Sequence, residues 1–399
     1  MSSCNAKIFT FIDGFVISRR DNCHSHDSNI AVTNKRIVSS NAKRKAEEEL
    51  FQRPSKLIHS SIEENVHALE TLTEKDISCI RKNVYNCRRK KKPTLPKSRD
   101  EAISILENTE VKTLKSEQFL IVNDRESGIV IFSCETMLKY LCRSTKIFVD
   151  GTFQCCTKFW LQLYTVHVIE NGIYVPVAFC LLPDKRQATY IQMFTFLKKK
   201  CQEFNCLLMP EIVVADFEKA VHNAVRCVWP NVQLSGCRFH LGQSWYRKIQ
   251  SLGLSKEYKD KNSEIGQWLR YSFGLSYLEP SDVGDCFAYD FVAVQSQHPE
   301  VEKFSDYLFE NYIDEDSDFP PEIWASKEEP REQSTNACES FHSQFNSHFY
   351  SPHPDIFNFI EVLKLFQTRF YTKIKNEGST KKVPKFQAVR YRNLCEKKD

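Results

Sequence analysis

Long apolar runs are missing from this 399-residue chain. The longest, Ile173 to Pro183, falls well short of the roughly 18 residues that cross a bilayer. No apolar signal segment follows Met1, because Ile8 to Ile17 is short and interrupted by Asp13. A membrane role is therefore not expected. Cys-x-x-Cys pairs are missing too, although the chain holds 16 cysteines. Their scatter reads as reduced thiols in an intracellular protein. With 11 Gly and 15 Pro, a low-complexity chain is excluded. The formal charge of +4 favours no class of partner, but its distribution is uneven. Residues 1–100 hold 20 Lys/Arg against 12 Asp/Glu, and the remaining 299 hold 35 against 39. A basic front on a slightly acidic body suits either a segment that meets polyanions or a solvated linker.

What is present is material for a core. Apolar residues make up 41% of the chain and aromatics 12%, enough for two or three domains. Residues 31–100 read as a basic helical region. Helices are expected over 35–50, 55–70 and 73–92, the last ending in Arg88-Arg89-Lys90-Lys91-Lys92 and followed by a Pro93–Pro96 linker. Such a basic end suits a DNA-backbone contact, a nuclear import signal or a solvated helix terminus.

From residue 101 a short helix and a hairpin, Phe119 to Phe132, lead into a regular pattern. Strands are expected at 146–153, 159–168, 173–182, 211–217 and 232–236. Helices follow the last three of them. Asn171-Gly172 marks a hairpin turn. This β-β-β-α-β-α-β-α order describes an α/β fold, a mixed five-stranded sheet with flanking helices covering residues 101–254. Trp160 and Trp245 read as core. Residues 255–330 look all-helical. Residues 331–378 read as two helices around Tyr350-Ser351-Pro352-His353-Pro354, and 379–399 as a basic tail.

Chemistry concentrates at two strand ends. Ile147-Phe148-Val149-Asp150 and Ile212-Val213-Val214-Ala215-Asp216 are apolar runs that each stop at a carboxylate. A right-handed crossover places those strands side by side. Glu339, on a helix with apolar neighbours, is the best third acid. Three such carboxylates can hold two Mg²⁺ or Mn²⁺ ions. One activates water or a 3′-hydroxyl, and the other stabilises the leaving oxygen of a phosphodiester. Elsewhere, Cys4 and the close pair His24 and His26 form a partial zinc-ligand set, in competition with an unstructured terminus. Cys237 and His240, three apart at a helix start, leave core bracing, DNA contact and metal contact open.

Four stretches, 147–153 (IFVDGTF), 212–220 (IVVADFEKA), 237–243 (CRFHLGQ) and 335–346 (TNACESFHSQFN), resemble the motifs of Mutator-like element (MULE) transposases in order and approximate spacing. The resemblance covers roughly 100–376. It implies an RNase H-like core with an Asp150, Asp216, Glu339 triad, an all-helical insertion over about 255–330, and a Cys-x-x-His signature at Cys237 and His240. One departure is Thr335-Asn336-Ala337, where relatives often carry Thr-Asn-Asn. The first 30 residues resemble the tail of a FLYWCH-type zinc finger, with Cys4, His24 and His26 as zinc ligands and its first Cys missing, hence a truncated remnant. This resemblance implies a nuclear DNA transposase or a domesticated derivative, acting on transposon terminal repeats, with no membrane partner and able to form a homo-oligomer. A catalytically inactive DNA-binding or regulatory protein is the alternative. A nuclease acting on another nucleic acid shares the acids, and no feature of the sequence prefers it.

Overall fold

The computed structural model describes residues 7–10, 16–20, 29–50, 52–91, 93–170, 172–326, 336–349 and 351–374. The zinc-ligand candidates Cys4, His24 and His26, and the basic tail, lie outside the described residues. The chain divides into two units, Met1–Leu95 and Pro96–Asp399. No described helix is long and apolar enough to cross a membrane.

In the first unit, β1 (Lys7–Thr10) pairs antiparallel with β2 (Val16–Arg20). Three helices follow: α1 (Ile30–Glu48), α2 (Pro54–Glu63) and α3 (Glu74–Lys91). Asn29 caps α1 by accepting from Val32 N at 3.0 Å, and Pro54 opens α2 where no backbone donor is needed. Val38, Ala42 and Ala46 recur every four residues on α1 and pack with Leu57 and Ile58 of α2 and Ile80 and Val84 of α3. The basic end of α3 is partly spent on this packing. Arg88 is buried, and its Nη2 donates to the carbonyls of Glu49 at 2.6 Å and Gln52 at 2.7 Å. Lys91 pairs with Glu47 at 3.1 Å.

The second unit opens with α4 (Arg99–Glu107), then β3 (Leu120–Asn123), β4 (Val130–Phe132) and α5 (Glu135–Arg143). Next come β5 (Lys146–Thr152), β6 (Gln162–Glu170), β7 (Ile173–Leu182), α6 (Gln187–Glu203), β8 (Ile212–Ala215), α7 (Lys219–Val228), β9 (Gln233–Gly236) and α8 (Arg238–Ser251). The sheet has seven strands in the order β3-β4-β7-β6-β5-β8-β9, two more than the sequence pattern suggested. The extra pair is the Phe119–Phe132 hairpin, read from sequence as a separate lead-in. Val130, Ile131 and Phe132 are all buried, so β4 has no solvent face. A two-stranded ribbon of that kind is not stable alone. It completes its burial by pairing with β7, Ile131 opposite Cys180. Pairing is antiparallel from β3 through β5 and parallel across β5, β8 and β9.

Helices cover both faces. Tyr190 of α6 meets Tyr164 of β6, and Phe194 meets Trp229 after α7. On the other face lie α14 (Asn336–Asn346) and α15 (Ile356–Ile374), with Phe341 against Phe179 and Phe359 against Phe132. Trp160 is buried in this core and donates to the Gly128 carbonyl at 2.7 Å. Among the described residues between α8 and α14 run five short α-helices: α9 (Ser255–Lys259), α10 (Glu264–Ser272), α11 (Pro280–Asp285), α12 (Pro299–Leu308) and α13 (Pro321–Trp324). They form a separate apolar cluster around α8, with Trp245 held among Phe273, Tyr312 and Trp324.

Candidate active site

The register of β5 and β8 sets the site. Phe148 pairs with Val214 across the parallel strands, and each chain reaches an aspartate two residues later. Side chains alternate along a strand, so Asp150 shares the face of Phe148. That face is sealed by a small apolar cluster of Phe148, Val214, Cys237 and Cys338. Cys338 brings α14 onto the sheet, and the adjoining residues of α14 deliver Glu339 and, one turn on from it, His342.

Asp150 is nearly buried, at 4% exposure. Its Oδ2 lies 3.2 Å from His342 Nδ1, and its Oδ1 accepts from Gly151 N at 3.0 Å. The other His342 nitrogen lies 2.8 Å from the Thr165 hydroxyl, which donates to the Asp150 carbonyl at 3.2 Å. His167 Nε2 meets the same hydroxyl at 3.0 Å. A threonine has one proton to give, so with it on Asp150 both imidazoles donate to Thr165. Burial, then the neighbouring His342 and Lys373, holds His167 well below the usual histidine range.

Glu339 faces His240, Oε1 to Nε2 at 3.1 Å. Burial raises the Glu339 carboxyl, His240 opposes that shift, and Asp150 adds to it. Burial works against charge on His240, but Cys237, Asp150 and Asp216 together outweigh it and bring the imidazole up to about 9. His240 is thus a cation at neutral pH, set among acids.

Asp216 follows β8 directly. Its Oδ1 is enclosed and has no hydrogen-bond partner. Burial, then Glu218 and Asp150, push its carboxyl up to about 6, against the pull of His240 and Lys185. Its backbone carbonyl accepts from His222 Nε2 at 2.7 Å. Behind it, Gln162 donates to the Tyr190 hydroxyl at 2.7 Å, which donates to Glu218 at 3.0 Å, and Lys185 holds the other Glu218 oxygen at 2.5 Å.

Two glycines make these approaches possible. A Cβ on Gly236 would meet the Phe217 ring at 2.4 Å, and one on Gly151 would meet Gln162 Oε1 at 2.7 Å. Gln162 is already committed to Tyr190, so it cannot simply turn away. Gly151→Ala is expected to lower stability by about 1–3 kcal/mol. Thermal melting checks this, and an unchanged melting temperature would sink the packing argument.

A cavity of about 290 Å³ is lined by Asp150, Gln154, His240, Glu339, His342 and Asn346, among others. Asn346 donates to Gln154 at 2.8 Å across its rim. The structure therefore brings Asp150, Glu339 and His240 to one opening. Asp216 sits beside it without lining it, and Cys237 lies in the apolar seal beneath. Sequence reasoning gave no role to Thr165, Glu218 or His342. His342 had a legible signal, since it stands three residues after Glu339 and so shares its helix face.

Among the described residues, no three His, Cys, Asp or Glu side chains are gathered to hold one metal ion. The donor chemistry still suits a hard divalent cation, which takes oxygen ligands. Asp216 keeps an enclosed oxygen without a partner, and two of the three carboxyls are raised by burial and by like charge. An ion held there would take the place of the His342 contact at Asp150 and the His240 contact at Glu339.

Residues 146–244, from the start of β5 into α8, match the family model of the MULE transposase domain. The match includes Asp150, Asp216, Cys237 and His240 and stops before Glu339. A search of the curated proteins found no match to the chain. The domain match supports the MULE family and a transposase-related function.

Proposed function

We propose that the chain is a MULE-type DNA transposase, or a domesticated derivative of one, with an RNase H-like core that cuts and joins DNA strands. The observation that carries this reading is the meeting of Asp150 and Glu339 at one cavity, beside an Asp216 whose carboxyl is raised and incompletely satisfied. In this reading Asp150, Asp216 and Glu339 hold Mg²⁺ or Mn²⁺. Bound there, the ions supply the activation of water or a 3′-hydroxyl and the stabilisation of the leaving oxygen. Charged His240 offers a positive group to the phosphodiester at the cavity mouth. The Thr165–His342 contact fixes the Asp150 carboxylate against its strand. Tyr190 and Lys185 hold Glu218 in place behind Asp216. The substrate is DNA carrying transposon terminal repeats, and the exposed Arg89 and Lys90 of the first unit suit phosphate contact or nuclear import. A nuclear location, a zinc-binding FLYWCH remnant at Cys4, His24 and His26, and a homo-oligomer belong to the same proposal.

A second reading has a specific observation behind it. Asp150 and Glu339 each face a histidine, which suits a protein that keeps the fold, has lost strand chemistry and binds DNA as a regulator. Incubating the full chain with terminal-repeat DNA in Mg²⁺, Mn²⁺ or EDTA separates the two. Metal-dependent nicking supports the transposase. Binding without cleavage in either metal supports the inactive protein.

A further inference from the structure

A second cavity, of about 860 Å³, adjoins the acidic one and shares Ser343 with it. One wall is the polar stripe Ser340, Ser343, Gln344 and Ser347 of α14, which recurs at helical spacing. The facing wall is α15, where Arg369 and Lys373 stand one turn apart. No Asp or Glu lines this cavity.

The charges here are arranged unlike those on α5, on α6 and on the preceding turns of α15. Lys139 pairs with Glu135, Lys200 with Glu203, and Lys364 with Glu361. Arg369 and Lys373 have no ion-pair partner among the described residues. Instead they repel one another at i,i+4, which is unfavourable for the helix. Burial, then Arg369, lowers the Lys373 ammonium from its usual value. The Arg369 guanidinium is held over the Phe366 ring, 4.8 Å from its centre. Two adjacent unpaired cations, one of them fixed on an aromatic ring and faced by hydroxyl and amide donors, form a receptor for anions. The acidic cavity beside them repels free anions unless a cation is bound. A chain of phosphates that continues past the acids satisfies both cavities.

We propose that the groove between α14 and α15 holds the phosphate backbone of the DNA strand leading away from the cleaved bond. This rests on the transposase reading for the identity of the strand. Arg369 and Lys373 bind phosphate oxygens, and Ser343 lies where the strand passes from one cavity to the other.

The test is binding of a fluorescent 20-nucleotide single strand to the full chain, across a salt series without divalent metal. The Arg369→Gln/Lys373→Gln variant is expected to bind about tenfold more weakly, and to lose about 1.4 from the slope of log affinity against log salt, the share of two phosphate contacts on a single strand. The charge-keeping variant Arg369→Lys/Lys373→Arg is expected to retain the slope, which separates charge from folding. Equal affinity and slope in the neutral variant, with an unchanged melting temperature, overturns the proposal. Displacement of the strand by inorganic phosphate beyond a chloride control of equal ionic strength also overturns it, because that identifies a site for the free ion. Nicking is read in parallel on terminal-repeat DNA. Weakened strand binding in the neutral variant, with a wild type that never nicks, leaves the groove standing and removes the catalytic reading. Unchanged binding and nicking in the neutral variant does the reverse.

Discussion

Asp216→Asn is expected to stabilise the metal-free protein by up to about 3 kcal/mol at pH 7.5, while abolishing metal-dependent nicking. The carboxyl sits at about 6 in the folded chain, above its ordinary value of about 3.9 in the unfolded one. Between those values the folded state holds the proton and the unfolded state does not. Stability therefore falls as pH rises through that window, and levels off above pH 6. Above it, the folded chain carries an ionised group whose Oδ1 has no partner. Asparagine keeps the shape and removes the charge. Its advantage should grow from pH 4 to pH 6 and then stay constant. Urea unfolding at pH 4, 5, 6 and 7.5 measures it. A variant that is less stable than wild type at pH 7.5 would contradict the electrostatic account of this residue. Mn²⁺ should raise the melting temperature of wild type at pH 7.5 and do so far less for the variant.

Phe345→Ala is expected to cost about 3–5 kcal/mol. Phe345 is fully buried on α14, with ring centres of Phe341, Phe349, Phe359 and Phe366 all within 5.7 Å. Neighbours on two helices and the loop between them cannot all collapse into the space, so the cavity term is near its full size. The same ring seats α14, which carries Glu339 and His342. Loss of nicking should therefore accompany partial loss of stability, unlike Asp216→Asn, where nicking falls as stability rises. Denaturant unfolding checks the magnitude, and a cost below about 1 kcal/mol would show that α14 is not anchored by this cluster.

The sequence made the central strands legible for a physical reason. Ile147 to Val149 and Ile212 to Ala215 are apolar on both faces, as buried parallel strands must be, and each stops where its carboxylate begins. The hairpin of β6 and β7 was equally plain from its Asn-Gly turn. The place of β3 and β4 was not, because the local pattern shows that β4 needs cover but not that β7 provides it. Nor did helical periodicity reveal that α8 serves as the hub of the helical segment after it. The histidine partners are the clearest case. Asp150 and His342 are 192 positions apart, and His240 and Glu339 are 99 apart, so only the closed fold brings them together. The zinc candidates Cys4, His24 and His26 stay a sequence reading, since they fall outside the described residues.

The central claim is that Asp150 belongs to a metal-dependent centre that cleaves DNA. It is tested most directly by strand nicking of terminal-repeat DNA in Mn²⁺, comparing wild type with Asp150→Asn at matched protein and salt. The account predicts nicking by wild type that EDTA removes, and none by the variant. Equal nicking by the variant would contradict it.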